Sequence, residues 1–190
     1  MPRSLYCIYI ISVIVSSCNQ KNPEDHFYDI VNQNFLNFVD TAAYTYGAFI
    51  MVSGSKPASK QQPSEFTVLV NSNFESADKL IPDLNSLLAN DIRYKDYSVL
   101  TQQKSSSIFK IDIQKIKNTG KYKLKNVEGI VRDETSIGEV IFFTPLIKGE
   151  RAIIFVSIYV DPKAGYTSAF LLRKIQNHWK IQEKVELSVW

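Results

Sequence analysis

Cysteine is nearly missing from this chain: of 190 residues only Cys7 and Cys18 are cysteines, and both fall in the first eighteen positions. The residues beyond them have no disulfide to form, so a domain built there must be stable through its core. Histidine is as scarce, with His26 and His178 alone. A zinc site needs three or four converging ligands and a nucleophile–base triad needs a positioned imidazole, so neither chemistry is expected. Only 7 glycines are present, and none of them composes a phosphate-cradling loop, a dinucleotide fingerprint or a calcium loop. No cofactor or metal is expected. Charge of one sign is not in excess either: 22 basic residues face 19 acidic ones, a net +3, without the concentrated basic stripe that nucleic-acid binding demands. Lys115, Lys117, Lys121, Lys123 and Lys125 do cluster, but with Ile116, Tyr122 and Leu124 between them they read as the solvated face of edge strands.

A membrane-spanning run is absent as well. The most apolar stretch, residues 5–15, is 11 residues long, whereas a helix needs about 20 to cross a bilayer. What the chain does hold is packing material: hydrophobic residues make up 45%, with 10 Tyr and 11 Phe, enough for one domain with a real core.

The short run has the layout of an export signal, with Arg3 before it and small residues after it. It ends in Val15-Ser16-Ser17-Cys18. This resembles the lipobox of type II signal peptides of bacterial lipoproteins: an aliphatic residue, two small residues, then the cysteine. The resemblance implies cleavage between Ser17 and Cys18 and attachment of a diacylglyceryl group to the Cys18 thiol, usually with an amide-linked acyl chain. Two or more chains hold a protein stably on a membrane, at about 0.8 kcal/mol per buried CH₂. Asn19 stands where an aspartate would favour inner-membrane retention, so the outer membrane is favoured. The expected organisation is a signal peptide over 1–17, lipidated Cys18 and tether over 18–23, and a single domain over 24–190.

That domain reads as α+β. Asn22 can cap a helix, Pro23 suits its first position, and Glu24 and Asp25 place negative charge in the first turn. Phe27, Ile30, Val31, Phe35, Phe38, Val39 and Ala42 then form an apolar stripe at helical spacing, with residues 44–47 ending it. Residues 53–64 read as a loop and 65–71 as a strand. Ala77, Leu80, Ile81, Leu84, Leu87 and Leu88 form a second helical stripe in which Pro82 must sit near the start or cause a kink. Strands are expected at 108–116 and 121–127, then at 139–147, 151–159, 166–176 and 178–190, the last turn being Asn177-His178. The 151–159 run is apolar on both faces, which suits a central strand covered on both sides. The last strand alternates: Trp179, Ile181, Val185, Leu187 and Val189 inward, Lys180, Gln182, Lys184 and Glu186 outward. The expected architecture is an antiparallel β-meander with the N-terminal amphipathic helix and a second short helix on one face.

The run from Phe142-Phe143-Thr144-Pro145 through Leu171-Leu172-Arg173-Lys174 to Asn177-His178-Trp179-Lys180-Ile181 resembles the closing hairpin of small uncharacterised envelope lipoproteins, with His178 in place of the usual turn glycine. The resemblance implies a fold type and no activity.

Candidate chemistry is thin. Ser53-Gly54-Ser55-Lys56 has the spacing of active-site-serine penicillin-binding proteins, and Lys117-Asn118-Thr119-Gly120 approximates a companion element. The first lies in a proline-flanked loop rather than opening a buried helix, so it reads as coincidence. Glu183 is the odd residue: alternation puts it on the inward row between Ile181 and Val185, where a carboxylate demands a partner. It reads as a ligand or acid group in a cavity, or as the product of a β-bulge or sheet edge. Phe142, Phe155, Tyr159, Tyr166, Phe170 and Trp179 line a pocket or fill the core. The functional expectation is a membrane-anchored, non-catalytic envelope domain that binds a partner protein or small ligand. The alternative is an envelope hydrolase or carbohydrate-active enzyme using Glu183.

Overall fold

The structure, a computed structural model, describes residues 22–53, 66–103, 109–129, 136–161 and 164–189. The signal peptide, the lipobox with Cys18, and residues 54–56 of the Ser-x-x-Lys stretch lie outside them.

Helix α1, Pro23–Ser53, starts as its sequence dictates: the Glu24 amide donates to the Asn22 side-chain oxygen at 3.2 Å, satisfying one of the orphan donors of the first turn. It continues through Gly47, the expected stop, to Ser53. The Ser-x-x-Lys stretch therefore follows a helix instead of opening one. Phe27, Ile30, Val31, Phe35, Phe38 and Val39 are all buried.

Seven strands form one sheet: β1 Phe66–Val70, β2 Tyr122–Asn126, β3 Ser136–Phe142, β4 Leu146–Lys148, β5 Arg151–Asp161, β6 Ala164–Ile175 and β7 His178–Val189. Their order is β2-β1-β3-β5-β6-β7, with β4 also on β5. The α+β class holds, but the sheet is mixed rather than an antiparallel meander, because β1 runs parallel to both β2 and β3. The expected strand at 139–147 is broken at Phe143-Thr144-Pro145. There the Thr144 amide turns to the Glu75 carbonyl at 3.0 Å, and Pro145 has no N–H to continue a ladder.

The helices also differ from expectation in placement. α1 packs on the face made by Val140, Phe142, Ala152, Ile154, Val156, Ile158, Phe170 and Leu172. The second helix, α2 (Ile81–Leu88), packs with Tyr97 and Leu100 on the other face, over Ile141, Ile153, Phe155, Ala169 and Leu171. Both faces of β5 are thus covered, as its all-apolar sequence implies. Pro82 sits in the first turn of α2 and causes no kink. The expected strand at 108–116 is absent. Phe109 and Ile111 instead pack beneath α1, and Asp112 caps a short 3-10 turn at Ile113–Lys115. Phe27 gathers Tyr28, Phe74, Phe109 and Phe142 edge-on at 4.9–5.7 Å between centroids, the arrangement aromatic quadrupoles favour.

Candidate functional site

Three consecutive amides of α1, Asn32, Gln33 and Asn34, each leave the helix for a different anchor. Asn32 accepts from the Lys117 amide at 2.5 Å and donates to the Lys115 carbonyl at 3.1 Å. Gln33 Oε1 accepts from the Trp179 amide at 2.6 Å. Asn34, buried, donates from Nδ2 to the carbonyls of Ile30 and Trp179 at 3.1 and 3.0 Å. The 115–118 segment is locked from the other side, where the Asn118 amide nitrogen donates to the Asn32 carbonyl at 2.9 Å. Gly120 belongs to the same approach: at φ +60°, a Cβ there would lie 3.3 Å from Leu36, so glycine is required for conformation and space alike.

Between α1 and β7 these anchors leave an open groove of about 1040 Å³. Its α1 wall presents Asn32, Gln33, Asn34 and Asn37, and its β7 wall presents His178, Trp179, Lys180, Ile181 and Lys184. Phe170 contributes an apolar floor, with the Lys184 ammonium 5.1 Å from the Tyr166 ring centre and 5.9 Å from that of Phe170, within reach of cation–π attraction. None of the described lining residues is a carboxylate. Trp179, 2% exposed, leaves its indole Nε1–H without an acceptor among the described residues. The β7 wall is placed by a two-residue turn at Gln176-Asn177, both at positive φ (48° and 66°). The turn thus falls one residue earlier than Asn177-His178, and His178 is the first residue of β7.

Glu183 lies elsewhere. The β6–β7 register pairs Leu172 with Ile181 but Leu171 with Glu183, so Gln182 is an extra residue and the strand's facing reverses there. Trp179 and Ile181 face α1, whereas Val185 and Leu187 pack on the α2 side. Glu183 accepts the Tyr94 hydroxyl at 2.5 Å, and this bond is the first cause holding the Tyr94 phenol above its ordinary pKa. Arg93 lies over the Tyr94 ring at 5.0 Å and forks onto Asp91. That fork depresses the Asp91 pKa and raises that of Arg93. The carboxylate demanded a partner, and a tyrosine supplies it; no cavity wall includes Glu183 among the described residues.

Of the aromatic set, Phe170 and Trp179 line the groove, Phe142 and Phe155 are core on opposite faces, and Tyr159 and Tyr166 are half-buried. Val189, read as inward, is 73% exposed. His26 sits half-buried in the first turn of α1, away from the groove wall that holds His178. Among the described residues no group of three His, Cys, Asp or Glu converges on a metal position, and no helix is long and apolar enough to cross a membrane.

The groove amides escaped the sequence reading, though one signal was present. Asn34 stands four residues from both Ile30 and Phe38, on the buried stripe itself, and a polar residue there must have a partner. No protein-family model, curated protein or solved structure matches the chain.

Proposed function

We propose that this chain is a lipid-anchored envelope protein whose α+β domain captures a partner or ligand in the groove between α1 and β7. The anchor rests on Val15-Ser16-Ser17-Cys18, and Asn19 favours the outer membrane. The observation that carries the binding reading is the groove's lining: five amides, two lysines and a histidine over an aromatic floor, with no carboxylate among the described residues. Such a wall offers many donors and no repulsion to an anionic or carbonyl-rich ligand. The one inward carboxylate singled out by the sequence, Glu183, is bound to Tyr94 outside this groove, so the reading assigns it a structural role.

Two measurements test the proposal. Intact-mass analysis of detergent-extracted protein from a Gram-negative host gives a species beginning at Cys18 with added acyl mass, lost in Cys18→Ser; retention of residues 1–17, or release without lipid, removes the anchor. A photo-crosslinking residue at Asn37 gives a discrete adduct in envelopes, while one at Leu87 on the opposite layer does not. Equal labelling at both sites removes the groove.

A further inference from the structure

The groove follows the free edge of a strand. β7 is the last strand in the sheet order and pairs only with β6 among the described residues. The main-chain N–H and C=O of Trp179 turn away from β6, because they meet the side chains of Gln33 and Asn34. Backbone groups alternate in direction along an antiparallel ladder, so those of Ile181 face the same way. Ile181 lies in the groove wall. The lining also comes from both sides of β7: Trp179 and Ile181 belong to the α1 face, while Lys180, paired with Arg173 and one residue out of phase with them, belongs to the other. A groove walled from both faces of one strand runs over its edge.

Resting on the reading that this groove is the binding site, we propose that it takes an extended acidic peptide segment of a partner protein, added as a further strand along the outer edge of β7. Strand addition gains affinity from main-chain hydrogen bonds and specificity from flanking side chains. Here the Ile181 peptide groups supply the ladder. Lys180 and Lys184 supply opposite charge on the two faces, and Asn37 and the amides behind it face the added segment from α1. Gln33 and Asn34 already occupy the strand-neighbour position at Trp179, which sets one end of the site. The bulge at Gln182 interrupts the regular ladder at the other. The ladder is short, so charge must carry much of the selectivity.

The test is fluorescence anisotropy on the full chain in detergent, with a labelled peptide of alternating Glu and Val. Saturable binding is expected, with affinity falling roughly tenfold in Lys180→Glu/Lys184→Glu and roughly tenfold again when alternate peptide amides are N-methylated. Lys148→Glu, at the far end of β4, leaves binding unchanged. Circular dichroism confirms that the variants fold. Equal binding of the N-methylated peptide overturns strand addition while leaving the groove as a binding site. A concentration-dependent dimer, with the Ile181 amide protected from exchange in the absence of peptide, gives the edge to a second copy and overturns the proposal. No saturable binding of the acidic peptide also overturns it; a surviving Asn37 cross-link would then keep the groove and reject only its occupant.

Discussion

Asn34 donates its side-chain amide to the main-chain carbonyl of Trp179 at 3.0 Å, joining positions 145 residues apart in the sequence. With Gln33 on the other side of the same residue, α1 stands in for a missing neighbour strand at the first outward-facing position of β7. Asn34→Leu keeps the volume but leaves a buried carbonyl without its donor, which costs about 1–3 kcal/mol. The urea midpoint is expected to fall accordingly. Gln33→Ala costs less, because its exposed site lets water take over the Trp179 amide.

Phe27 is the centre of the layer beneath α1, fully buried with four aromatic rings set edge-on around it. Phe27→Ala is expected to cost about 3–5 kcal/mol. Because Phe109 loses a ring contact in the same step, hydrogen exchange should speed up through residues 109–113 as well as in α1. A loss confined to α1 would show that the 109–113 segment packs independently of it.

Alkaline pH weakens this fold through its tyrosines. Burial raises Tyr28, Tyr97 and Tyr159 above the ordinary value of 10.0, and donation to Glu183 raises Tyr94. A raised folded-state value means that the neutral phenol is favoured by folding. The stability it contributes is complete below the unfolded value near 10 and disappears as pH rises through the higher folded values. Urea midpoints should therefore hold up to about pH 9 and decline above about pH 10. In an ultraviolet titration of tyrosinate, Glu183→Gln should bring one phenol back toward its ordinary range. An unchanged curve would mean that the carboxylate does not act on Tyr94.

Much of this fold was legible, and the failures have physical causes. The helix cap at Asn22, the apolar stripe of α1, the placement of β1 and the central position of β5 all follow from local rules, because capping and periodicity act over a few residues. Strand direction was not legible: Phe66–Val70 is buried along its whole length, so it carries no alternation to distinguish parallel from antiparallel neighbours. The helix layers were misassigned for the same reason, since a sheet covered on both faces hides which face each helix takes. At 108–116 the alternation of Phe109, Ile111 and Ile113 came from packing beneath a helix, not from a ladder. The groove needed Asn34, Asn118 and Trp179 to meet across the chain, and no local pattern reports that meeting.

The bulge at Gln182 gives the sharpest test of how β7 is read. Strict alternation puts Trp179, Ile181, Glu183, Val185 and Leu187 in one row, yet the structure divides them between two faces. The division goes unnoticed in the sequence because both faces are covered, so apolar residues are required on either side of the bulge. Deleting Gln182 restores a regular ladder, and a one-residue change moves every following side chain to the opposite face. With the pairing before the bulge kept, Glu183 would take the outward phase of Gln182, Val185 would turn toward α1, and Glu186 would move into the row of Val185. The deletion is therefore expected to remove the cooperative unfolding transition, or to lower its midpoint far more than Gln182→Ala, which keeps the bulge and should sit within about 0.5 kcal/mol of the parent. Similar midpoints for the two variants would mean that β7 slips register freely, and the division of its residues between two layers would have to be abandoned.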